Sequence, residues 1–127
     1  MKRTTLEAEI QRRIEVAIGA EPDFLLFRNS VGKARHVSRD GVEFYVPYGL
    51  GNGSPDLVGI LAPSGTWVAL EIKRPGEEAT DEQKQVHAVW RRFGAFVGVV
   101  TSPDEARSAL NDARQYASEQ RSAASGK

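Results

Sequence analysis

Leu6, Ile10, Ile14, Ala17 and Ile18 recur at helical spacing, and Gly19 follows them. That pattern predicts a helix from residue 4 to about residue 19. Phe24 to Arg28 is a short apolar run suited to a strand. The next stretch, to about Gly53, is rich in glycine and polar residues, with one strand over Val42 to Val46 inside it. Gly49, Gly51 and Gly53 mark a loop where the backbone turns sharply or is closely approached. Asp56 to Leu61 and Thr66 to Lys73 then flank the turn Pro63-Ser64-Gly65, which predicts an antiparallel hairpin. Thr80, with Gln83 three positions on, has the spacing of a capping box and opens a helix that runs to about Phe93 and stops at Gly94. Ala95 to Val100 is nearly all apolar, the pattern of a strand buried on both faces. Ser102 and Pro103 suit the cap and first position of a last helix, which fades by about Ser118. The order helix, strands, helix, strand, helix predicts an α/β fold: a mixed central sheet flanked by helices, with the hairpin in its middle.

Length and composition narrow the reading. A chain of 127 residues fits one core, so a single domain is expected over residues 1–118, with a disordered tail over 119–127. There is no cysteine, which excludes disulfides and thiolate metal sites. No apolar run approaches the roughly 18 residues of a membrane helix, and the charged start offers no signal-peptide core. A cytoplasmic protein without membrane association is expected. Seventeen basic and seventeen acidic residues cancel, which argues against gripping DNA by bulk charge. The distribution softens that objection. From Phe24 to Arg39 no residue is acidic, while Arg28, Lys33, Arg35 and Arg39 are basic and His36 lies among them. Such a stretch permits phosphate contacts without demanding them.

Chemistry concentrates on the predicted hairpin. Side chains alternate along a strand, so Leu70 and Ile72 share an apolar face while Glu71 and Lys73 share the other. Asp56 begins the partner strand, and a bend at Pro55 and the preceding glycines would bring its carboxylate beside Glu71. Two carboxylates held together are costly unless a cation joins them. Mg²⁺ or Mn²⁺ with oxygen ligands would relieve the repulsion, activate a water and offset charge on a phosphodiester. Lys73 would orient that water or stabilise developing charge. Taken singly, Glu-x-Lys on a strand is usually a salt-bridged surface and Pro-Asp after glycine an ordinary turn. The combination carries the reading.

Pro55-Asp56, fourteen intervening residues, and Glu71-Ile72-Lys73 resemble the signature of the PD-(D/E)XK nuclease superfamily. The surroundings are similar to its VRR-NUC family, in particular the stand-alone phage-type members. The resembling segments are Gly51 to Ile60, Ala69 to Lys73, Thr80 to Gln83 and Gly94 to Val100, with Phe27-Arg28-Asn29 similar to the family's first-strand ending. The resemblance implies a restriction-endonuclease-like core and a Mg²⁺- or Mn²⁺-dependent, structure-specific endodeoxyribonuclease acting on branched or Holliday-junction DNA. It also implies a homodimer, in the cytoplasm of a bacterial or phage-infected cell. Asp56 and Glu71 would bind the metal, joined by the Ile72 carbonyl, with Lys73 at the attacking water. The resemblance further implies an acidic residue on the first helix. At about 100° per residue, Glu7 falls within roughly 20° of Ile14 and Ile18, whereas Glu9 lies about 160° away from Glu7. Glu7 is therefore the expected fourth member. Gln83 matches the family's glutamine after Glu-x-Lys and reads equally as a capping side chain. Arg28, Lys33, Arg35 and Ser54 are the expected DNA contacts. Two other functions stay open: a non-catalytic DNA-binding domain that keeps the nuclease fold, and a restriction or end-processing nuclease. Lone His36 and His87 read as surface or hydrogen-bonding residues.

Overall fold

The computed structural model describes residues 5–125. Helix α1 (Thr5–Gly19) leads into β1 (Phe24–Arg28), then a hairpin of β2 (Gly32–Val37) and β3 (Glu43–Tyr48). Strands β4 (Leu57–Leu61) and β5 (Thr66–Ile72) precede α2 (Asp81–Arg92), β6 (Phe96–Val100) and α3 (Pro103–Ser125). Four strands form one mixed sheet in the order β1-β4-β5-β6, antiparallel except for the parallel β5–β6 pair. This is the expected α/β arrangement. Among the described residues no helix is long and apolar enough to cross a membrane.

Alternation along β5 assigns the two faces of the sheet. Val68, Leu70 and Ile72 point into a core completed by Ile10, Ile14 and Ile18 of α1 and by Ala106, Ala109, Leu110, Ala113 and Ala117 of α3. Full burial of each isoleucine is worth roughly 1.5–3 kcal/mol, enough to dock α1 firmly. The alanines recur at helical spacing on α3, and their small size lets α1 and the sheet approach closely. On the opposite face Val58, Ala69, Ala95 and Val97 pack with Trp67 and Trp90, the latter from α2. Glu71 belongs to this second face, beneath α2.

Several expectations need correction. The stretch before Gly53 holds two strands, and they form a separate two-stranded sheet with Gly32 opposite Tyr48 and Val37 opposite Glu43. Lys33, Arg35, Phe44, Tyr45 and Tyr48 on this arm are exposed. Strand β6 lies at the sheet's edge; it buries Val100 on one face and Val97 on the other, as expected, and only its Val99 is exposed. Helix α3 continues past Ser118 to Ser125, although every residue after Ala117 up to Ser125 is exposed. Residues 119–125 are thus helical, while 126–127 lie outside the described residues. The capping box is formed as the spacing implied: the Thr80 side chain accepts from Gln83 N, and Gln83 Oε1 accepts from Thr80 N at 2.8 Å. Ser102 likewise caps α3, its Oγ accepting from Glu105 N at 3.1 Å.

Candidate active site

Asp56 directly precedes β4. Leu57 pairs with Leu70, so extending the antiparallel register by one position sets Asp56 across from Glu71. Its Oδ2 accepts a hydrogen bond from Ile72 N at 2.8 Å, which fixes the carboxylate at the end of β5. The chain before it is tied down by Asn29, at the end of β1. Asn29 Nδ2 donates to Ser54 Oγ and to Pro55 O, both at 2.7 Å, and Asn29 Oδ1 accepts from Leu50 N at 3.0 Å. Asn29 N also donates to Asp56 O at 2.9 Å. Gly53 completes the turn at φ +81°, and a Cβ there would press on Glu82 and Val86 of α2. A side chain at this position would be strained and would push α2 away.

A cavity of about 360 Å³ opens between these elements, and Gln11, Asn29, Ser54, Asp56, Glu71 and Gln83 are among the residues that line it. The structure therefore brings Asp56, Glu71, Gln83 and Ser54 together. Glu71 is only 2% exposed, and Lys73, two positions on along the same face, is 7% exposed. The Lys73 backbone N–H still bonds to Val100 O at 3.0 Å, so the ladder holds this residue in line with β5.

His87 completes the picture. It is 2% exposed on α2, and its Nε2 lies 3.0 Å from Glu71 Oε1. With a carboxylate as partner, the ring proton belongs on Nε2, which donates. Burial disfavours the imidazolium and lowers the His87 pKa; the positive charges of Arg91 and Lys73 add to this, and Asp56 opposes it. The hydrogen-bonding role read for His87 holds, whereas the surface role does not. His36 remains on the surface, stacked on Phe44 at 5.4 Å.

Other expected site residues lie elsewhere. Glu7 is on the inward stripe of α1 but is not among the residues that line the cavity; its negative charge helps to raise the Arg74 pKa, after the larger effect of Glu77. Gln11, one turn further along α1, lines the cavity in its place, and its Oε1 is buried without a hydrogen-bond partner among the described residues. Arg28 Nε pairs with Glu15 Oε1 at 2.6 Å, a tie between β1 and α1, and the pairing raises the Arg28 pKa. Arg35 is bound to Glu43 at 2.8 Å within the arm. Ser54 Oγ donates to Gly51 O at 2.6 Å, so its hydroxyl shapes the loop.

Among the described residues, no three Asp, Glu or His side chains come together as a metal cluster. The cavity instead offers the carboxylates of Asp56 and Glu71 from the sheet, that of Glu82 from α2, and one orphaned amide oxygen from Gln11. An all-oxygen set of this kind fits a hard divalent cation, because an unsatisfied buried carbonyl oxygen calls for a positive partner. Sequence reasoning gave no place in the site to Gln11, Asn29 or His87. Gln11 stands four residues after Glu7 and His87 four after Gln83, so helical spacing already put each on the inward face of its helix.

The architecture is that of an α/β domain with its polar cavity at the end of the two middle strands. No family model and no curated protein matches the sequence. Among solved structures, one described as a VRR_NUC domain is similar to this chain with a TM-score of 0.57 and 24% identity, over 85% of this chain and 97% of that one. The likeness shows that the two share a fold.

Proposed function

We propose that this protein is a Mg²⁺- or Mn²⁺-dependent endonuclease that hydrolyses DNA phosphodiesters, with branched or four-way-junction DNA as substrate. The observation that carries this reading is the shared cavity. Asp56 and Glu71 come from neighbouring strands to one polar opening, and Lys73, which follows β5 two positions after Glu71, is buried behind the lining residues. The VRR_NUC description of the similar structure supports the same class. Asp56, Glu71 and Gln11 would hold the cation, together with the Ile72 carbonyl. When bound, the cation supplies Lewis acidity and a lowered water pKa.

The protein's own groups do the rest. The Ile72 N–H holds the Asp56 carboxylate so that it cannot swing out of the cavity. Lys73 would extend its ammonium toward the attacking water and the phosphate oxygens. The Gln83 side chain lines the cavity while its Oε1 stays engaged in the α2 cap, so its rotamer is preset toward a phosphate or water. The arm rises from the cavity rim, since Asn29 and Ser30 on one side and Asn52 to Ser54 on the other both line it. Lys33, Arg35 and Tyr45 share one face of that arm, because Arg35 pairs across the ladder with Tyr45. A two-stranded ribbon is narrow enough for the major groove, so this face suits duplex DNA flanking the bond to be cut. One chain presents one such cavity, so paired nicks require a homodimer.

The test is cleavage of labelled four-way junction, flap, hairpin and linear duplex DNA with Mg²⁺ or Mn²⁺. Wild-type protein is expected to cut the junction, and Asp56→Asn or Lys73→Ala to lose at least about 100-fold in rate. Cleavage by either variant at the wild-type rate would remove these residues from the reaction. Tight, metal-independent DNA binding with no cleavage of any substrate would favour a non-catalytic binding domain. Preference for linear ends would point to an end-processing nuclease.

A further inference from the structure

We propose that His87 is a positioning residue that holds the Glu71 carboxylate at the cavity wall, so that cation affinity depends on the hydrogen bond it donates. The inference rests on the nuclease reading, since it concerns the same cavity. A carboxylate buried this deeply requires a donor, or it is driven toward its neutral form. His87 supplies one at 3.0 Å from the helix layer above the sheet.

The geometry of α2 leaves the imidazole little freedom. The capping box fixes the start of the helix. Arg91 Nη2 donates to Val97 O at 2.9 Å, and Trp90 packs edge-on against Trp67 with ring centroids 6.1 Å apart, which ties the end of α2 to β5 and β6. His87 thus hangs from a helix anchored at both ends, and the direction of its N–H is set before any cation arrives. Fixing one carboxylate oxygen sets the rotation of the whole group, the way outer hydrogen bonds orient metal ligands. An imidazole does this without cancelling the ligand's charge, whereas a lysine or arginine in its place would compete with the cation for the same carboxylate.

The experiment compares the full chain with His87→Leu, which removes the donor at similar volume, and His87→Gln, whose amide nitrogen reaches the same place. Mn²⁺ binding is measured by calorimetry, and folding by thermal melting. His87→Leu is expected to bind Mn²⁺ roughly 10- to 100-fold more weakly, and His87→Gln to stay within about threefold of wild type. Equal affinity in wild type and His87→Leu overturns the proposal, as does an equal loss in two folded variants, which would assign His87 to packing alone. Should His87→Leu not fold, the ¹⁵N resonance of the His87 ring in wild-type protein decides. It is expected to shift in a saturable step on Mg²⁺ addition, and an unmoved resonance overturns the proposal. Failure of wild-type protein to bind Mn²⁺ at all would be failure of the nuclease reading itself. Wild-type binding and cleavage with indifferent His87 variants would sink the positioning role alone.

Discussion

Gln11 is the residue whose chemistry is least satisfied. Its amide oxygen is buried and accepts nothing among the described residues, a condition that costs roughly 1–3 kcal/mol. Gln11→Leu is therefore expected to raise stability by about 1 kcal/mol while weakening Mn²⁺ binding, the opposite of what a packing residue does. A melting temperature that falls with the substitution would show that the oxygen is not strained. Arg114 makes a contrasting site, where one guanidinium serves two carboxylates. It donates to both carboxylate oxygens of Asp23, at 2.8 and 2.9 Å, and to Glu21 at 3.3 Å, so that α3 grips the turn after α1. The bonds from Arg114 hold the Asp23 pKa below its ordinary 3.8. The resulting stability is fully present above that value and is lost as pH falls through the lower, folded-state value. Because the pair is partly solvated, Arg114→Ala is expected to cost only about 0.5–1 kcal/mol at neutral pH. Urea unfolding should show that difference shrinking below pH 4. Much at this scale was legible beforehand: alternation placed Glu71 and Lys73 on one face, and the hairpin placed Asp56 beside them. Gln11 and Glu7 occupy one helical stripe, and only the twist of α1 against the sheet decides which of them reaches the cavity. Periodicity carries no such information.

At the scale of elements, strong punctuation made α2 and the β4–β5 hairpin readable, while the arm was half lost. Val42 to Val46 signals a strand, but Gly32 to Val37 is basic, with Ala34 and Val37 as its apolar residues. Its partner strand, rather than its own pattern, makes it extended. The arm buries little against the sheet, so replacing residues 32–48 with a short glycine linker is expected to leave the melting temperature within a few degrees of wild type. DNA affinity should drop at least about tenfold with the phosphate contacts removed. Unchanged affinity would exclude the arm as a DNA contact. The far end of α3 makes a simpler case. Its last buried residue is Ala117, so a chain ending at residue 118 should melt with the full protein.

For the whole molecule, the balance of charge sets how DNA is held. With equal numbers of acidic and basic residues, attraction depends on the few cations near the cavity and along the arm. A shallow salt dependence is expected, with log affinity falling by about 1 to 3 per decade of salt, against about 10 for a strongly basic binder. Titrations of junction DNA from 50 to 200 mM salt would measure it, and a slope steeper than about 5 would mean that a far larger basic surface takes part.

The way the arm stands clear of the sheet also bears on how the chain tolerates being severed. Its tip, Ser38 to Val42, carries Arg39 on an exposed turn at Gly41, an open target for trypsin. A cut there would leave the β1–β4 ladder and the α1 isoleucines in place, so the halves before and after residue 39 should stay together as one particle. Split at that point and produced separately, the two pieces are candidates for reassembly into a working whole.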